Sequence, residues 1–137
     1  MITAVDTNVL LDILLPNERF YGASARALES AAVAGSLVIC GLVYAELCVH
    51  FEAQPECDEF LSSADMRVEA LNREAHFVAS RAWREYRKRG GQRTRIMPDF
   101  LIGAHAQVQA SRLLTRDRGF YRTMFPELEV LEPSLAD

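Results

Sequence analysis

The sequence predicts an α/β domain, a parallel sheet with helices on both faces. Short apolar runs recur at Met1 to Val5, Leu37 to Cys40 and Arg112 to Thr115, each followed by a turn or cap signal. Stretches of helical spacing separate them. The runs are continuous rather than alternating, as in strands buried on both faces, and strands that alternate with helices join in parallel.

The elements follow in order. Met1 to Val5 is the first strand. Leu10, Leu11, Ile13, Leu14 and Leu15 then suit either the core or a partner's groove. Ser24 to Ala34 is Ala-rich and stops at Gly35, a helix with a C-terminal glycine. Leu37 to Cys40 is a strand and Val43 to Phe51 a helix, with Met66 to Leu71 a further strand candidate. Asn72 to Arg89 is the longest helix: Ala75, Val78, Ala79, Ala82, Trp83 and Tyr86 share one face, and Gly90-Gly91 ends it. Trp83 and Tyr86 at that spacing suit the core or a dimer surface. Pro98 to Gln109 is helical, Arg112 to Thr115 a strand, Arg118 to Met124 a short helix and Leu128 to Leu131 a last strand.

At 137 residues the chain fits one domain, with about two-thirds of its surface buried on folding. Half the residues are apolar and a quarter charged, which excludes disordered, collagen-like and disulfide-scaffold classes. Cys40, Cys48 and Cys57 lack paired CxxC spacing and read as reduced thiols. No apolar run reaches the roughly 18 residues of a membrane span, and Met1 to Asp6 lacks a basic leader region, so a cytosolic protein without membrane association is expected. The formal charge of −4 excludes nucleic-acid binding by bulk charge alone. The distribution is uneven, however: Arg81, Arg84, Arg87, Lys88, Arg89, Arg93 and Arg95 crowd one stretch whose only acid is Glu85.

Sheets of this kind hold ligands beyond the carboxyl ends of their strands, so acids at those ends are the candidate site. Asp6 ends the first strand, and Asp117 stands just past the Arg112 run. Asp99 opens the Pro98 helix, with Gly103 one turn on leaving room for close approach. Glu46 lies among at least three apolar residues on either side and is expected to be partly desolvated. Individually, the three aspartates also read as helix caps and Glu46 as the solvated stripe of its helix. Gathered at one edge, four carboxylates repel unless a cation neutralises them, and an oxygen-only set suits Mg²⁺ or Mn²⁺ rather than zinc.

Asp6-Thr7-Asn8, Ala45-Glu46-Leu47, Pro98-Asp99 with Ile102-Gly103-Ala104, and Leu114-Thr115-Arg116-Asp117 with Phe120 occur in the order of the four motifs of the PIN-domain ribonucleases. The chain resembles that family, and within it the VapC-type toxins of toxin–antitoxin pairs. The resemblance covers the chain as one PIN-like domain, 1–137. It implies a three-layer fold with a parallel sheet of about five strands and a Mg²⁺- or Mn²⁺-dependent endoribonuclease, a homodimer inhibited by a small cognate antitoxin. It also implies that Asp6 and Asp99 are metal ligands, that Glu46 and Asp117 complete the catalytic set directly or through water, and that Asn8 and Thr115 support them by hydrogen bonds. Gly41 departs from the pattern, which often has Ser or Thr before the Glu helix; that affects a cap rather than the chemistry.

The reaction expected is in-line attack on an RNA phosphodiester by metal-activated water. A covalent enzyme intermediate is not expected, because there is no Gly-x-Ser-x-Gly motif and Cys48 and His50 share one helix. Arg87, Lys88, Arg93 and Arg95 are expected to grip the RNA backbone. Arg112, Arg116, Arg118 and Arg122 would extend that surface or pair with an acidic antitoxin segment. His50, His76 and His105 read as core or surface residues. The rival readings are a non-catalytic RNA-binding or interaction module and an aspartate-dependent phosphatase, which wants a second Asp where Asn8 stands.

Overall fold

The computed structural model describes residues 1–91 and 95–135, and its sheet is all-parallel in the order β3-β2-β1-β4-β5. The strands are β1 (Ile2–Val5), β2 (Ser36–Cys40), β3 (Met66–Glu69), β4 (Arg112–Leu114) and β5 (Val130–Leu131). Consecutive residues of β1 and β2 are buried, so both faces of the central sheet are covered, as continuous apolar runs require. The chain steps outward from β1 to β2 to β3, then returns to lay β4 on the other side of β1. The carboxyl ends of β1 and β4 therefore flank the point where strand order reverses, the crevice in which such sheets hold ligands.

Seven helices among the described residues connect and cover the strands: α1 (Thr7–Leu14), α2 (Tyr21–Ala34), α3 (Gly41–Cys48), α4 (Gln54–Ser63), α5 (Arg73–Lys88), α6 (Met97–Gln109) and α7 (Arg118–Met124). Of these, α4 has no counterpart in the sequence reading, and α1 entered it only as the helix that Asp6 would cap. In α1 the apolar run Val9 to Leu14 masks a helical period, and α4 is too polar to show one, burying only Cys57 and Leu61. α3 starts earlier and ends earlier than expected, so His50 and Phe51 lie beyond it. β3 stops at Glu69 and not at Leu71. Gly35 closes α2 as expected, though for a steric reason: a Cβ there would lie 1.8 Å from the Met1 carbonyl oxygen.

The core centres on Val5, Val38, Ile39, Leu113 and Leu114 of the sheet. An edge-to-face series of rings, Trp83–Phe100 (5.1 Å), Phe100–Phe120 (5.3 Å) and Phe120–Tyr121 (5.0 Å), extends it from α5 through α6 to α7. Trp83 and Tyr86, which pack on Phe100, thus belong to the intramolecular core. His105 is buried and bonded to Glu69 at 3.0 Å, while His50 and His76 are exposed. The three cysteines are free thiols.

Candidate active site

Sheet register builds the site's floor. Val5 pairs with Leu114, which puts Asp6 and Thr115 side by side just past the strand ends. The Thr115 hydroxyl donates to Asp6 Oδ2 at 2.7 Å, and the Thr7 amide donates to Oδ1 at 2.8 Å. The Asn8 amide approaches Oδ2 at 3.4 Å, while its oxygen accepts from the Arg116 amide at 3.1 Å. Asp6 therefore caps α1 and faces the crevice at once. Only 6% exposed and without an ion-pair partner among the described residues, it has a pKa raised by burial; the bonds from Thr115 and Thr7 oppose the shift and the nearby charge of Glu46 adds to it.

The other acids arrive from three helices. Glu46 reaches across from α3 to accept from the Thr7 hydroxyl at 2.5 Å. It is exposed, contrary to the desolvation expected of it, because Ala45 and Glu46 lie on the outer side of α3 while Val43 and Leu47 take the core. Asp99, third residue of α6, closes a capping interaction by accepting from the Ile96 amide at 3.2 Å. Asp117 precedes α7 without a side-chain cap; its amide donates to the Thr115 hydroxyl at 2.9 Å.

Tyr121, one turn into α7, sits among these acids. It is 2% exposed, interacts with Asp6 and feels the charges of Asp99 and Asp117; burial first, then those charges, push its phenol well above the usual range and keep it a donor. Neither Tyr121 nor Thr7 was anticipated as part of the site, although Thr7 lies inside the Asp6-Thr7-Asn8 motif. Among the described residues, no three Asp, Glu, His or Cys side chains yet form a closed metal-binding group. Each acid has instead found a local partner.

The arginines make contacts within the chain that the sequence did not specify. Arg95 faces inward, forking onto Asp117 at 2.5 and 3.2 Å and stacking 4.3 Å from the Phe120 ring centroid. Arg116 grips buried Asp12 at 2.9 and 3.1 Å and lies over Phe20; Arg112 donates to Thr3, and Arg118 lies 3.9 Å from Glu132. Arg112 and Arg116 are thus committed within the chain, while Arg118 and Arg122 are exposed. Arg87 and Lys88 are exposed at the end of α5. A cleft of about 570 Å³ runs from Trp83, Tyr86 and Arg87 to Arg95 and Ile96. Arg93 falls outside the described residues.

The model of the PIN domain matches residues 3–126 of this sequence. The chain belongs to the PIN domain family. This PIN domain is similar in fold to VapBC2 from Rickettsia felis, solved bound to a promoter DNA fragment, at a TM-score of 0.73 and 21% identity, covering 98% of this chain and 100% of that one. It is likewise similar to VapBC-1 from nontypeable Haemophilus influenzae, at a TM-score of 0.71 and 19% identity over 96% and 98% of the two chains. FitAcB from Neisseria gonorrhoeae follows at 0.70 and 17%, over 97% and 98%. No curated protein matches the sequence significantly. No helix among the described residues is long and apolar enough to cross a membrane.

Proposed function

We propose that this PIN domain is a metal-dependent endoribonuclease and the toxin of a toxin–antitoxin pair, held in check by a small protein partner and working as a homodimer in the cytoplasm. The observation that carries the nuclease reading is the gathering of Asp6, Glu46, Asp99 and Asp117 about the crevice between β1 and β4, with Asp6 desolvated and without an ion-pair partner among the described residues. The partner reading is supported by likeness to toxin–antitoxin assemblies, among them one from Klebsiella pneumoniae at a TM-score of 0.69 and 19% identity.

The donor set fits Mg²⁺ or Mn²⁺. It is all oxygen, and Asp6, Glu46 and Asp99 are free of ion pairs among the described residues. Asp6 and Asp99 would hold the ion, with Glu46 completing the set directly or through water. When bound, such an ion activates water and offsets charge in a phosphorane-like transition state. Thr115 and Asn8 fix the Asp6 carboxylate, and the Thr7 hydroxyl steers Glu46. Arg87 and Lys88 would draw the RNA backbone to the cleft that leads to Arg95.

The deciding experiment incubates a mixed RNA pool with purified protein and Mg²⁺ or Mn²⁺, with EDTA, and with Asp99→Asn. The expected result is metal-dependent cutting that leaves 5′-phosphate and 3′-hydroxyl ends, reduced at least about 100-fold in the variant, since even groups supporting a ligand cost 10–100-fold when lost. Metal-independent cutting equal in the variant would sink the four-carboxylate mechanism. RNA binding without cutting, in folded and metal-loaded protein, would favour a binding module.

A further inference from the structure

The Arg95–Asp117 pair is the feature that nuclease chemistry leaves unexplained. A guanidinium forked onto a carboxylate occupies both of its oxygens, the atoms a hard cation would use. Here the fork closes at 2.5 and 3.2 Å, and Phe120 supports the guanidinium plane from 4.3 Å. Asp117 is not remote from the other acids. Its backbone amide donates to Thr115 Oγ1, and that same hydroxyl donates to Asp6 Oδ2, so one threonine holds the Asp6 carboxylate and the Asp117 backbone at the end of β4. Asp99 adds its charge to the field around Arg95. Side-chain exposure of 31% for Arg95 and 35% for Asp117 leaves the pair within reach of solvent and of an entering ion.

We infer that Arg95 is a built-in competitor of the divalent ion, holding Asp117 closed until the ion displaces it. This rests on the metal-dependent reading of the same site. It carries an unusual sign, because removing a side chain from the site should strengthen ligand binding. Neutralising Arg95 frees a carboxylate and deletes a positive charge near a doubly charged ion, together worth about ten-fold in affinity at the high effective dielectric of a partly exposed site.

The test is Mn²⁺ binding to the full chain by calorimetry, at fixed pH and salt, for wild type, Arg95→Gln, Asp117→Asn and the double variant, with folding checked by circular dichroism. Arg95→Gln is expected to bind Mn²⁺ about ten-fold tighter, and Asp117→Asn in the same chain to abolish that gain. Arg95→Lys keeps the charge but loses the fork and should fall between wild type and Arg95→Gln, a second arm should the glutamine variant not fold. Arg95→Gln binding no tighter than a wild type that does bind would overturn the competitor and leave the nuclease reading standing. A gain that survives Asp117→Asn would also overturn it, as an effect of net charge. Absence of Mn²⁺ binding in every folded variant would overturn both.

Discussion

Asp6 shows how one residue meets opposed demands. Its burial aligns it with Thr115, yet burial penalises its ionised form, so its pKa is raised. For an acid shifted upward, the native state holds its proton longer than the unfolded chain does. The associated stability is fully present below the ordinary value of 3.8 and is lost as pH climbs through the native pKa. Asp6→Asn, which retains a capping side chain, should therefore melt level with wild type or below it near pH 4 and above it at pH 8, by about 3–6 °C per kcal/mol relieved. Melts in EDTA across that range check the sign, and added Mn²⁺ should reverse the order by stabilising wild type alone. A gap independent of pH would mean Asp6 carries no burial penalty. At this scale the three aspartates stood out because each follows a strand or opens a helix, and Glu46 because it is a lone acid in an apolar run. The bond of Arg95 to Asp117 could not be read from sequence because its partner lies 22 residues away. Tyr121 was invisible because its role depends on acids from three other parts of the chain.

Helix α6 carries Asp99 at its start and Gly103 one turn later, where the sequence already suggested a close approach. The approach is to Phe125: a Cβ at Gly103 would lie 2.4 Å from the ring, which is 1% exposed and unable to yield. Gly103→Ala should cost about 1–3 kcal/mol by overpacking and should lower cleavage by displacing Asp99 on the same helix. Phe125→Leu in that background should restore part of the melting temperature, measured calorimetrically; no rescue would place the damage elsewhere. Among the elements that were legible, β1, β2, β4, α5 and α6 combine burial with a consistent period, and α2, α7 and β5 were legible as well. The unforeseen α4 is stabilised by its setting, with Cys57 and Leu61 turned inward and Pro55 in its first turn. Glu46 appeared buried for a related reason: a run of apolar letters conceals which side of α3 faces water.

Across the whole molecule, charge is distributed against its net sign. An acidic chain with exposed Arg87 and Lys88 at the end of α5 should bind RNA with a salt dependence set by those few contacts. Each contributes about 0.7 to the slope of log K against log salt for a single strand, so Arg87→Ala with Lys88→Ala should flatten it by about 1.4. Titrations of a labelled RNA with the Asp99→Asn variant at several salt concentrations read this directly, and an unchanged slope would remove both residues from the interface. Topology has a further consequence, in time rather than in space. Asp6 and the Thr115 that orients it are 109 residues apart, on neighbouring strands, so Asp6 leaves the ribosome long before the crevice can close around it. At 5–20 residues per second this interval is roughly 5–20 s. The crevice of this PIN domain thus cannot assemble until Thr115 has followed Asp6 out, which leaves that interval in which the site does not yet exist.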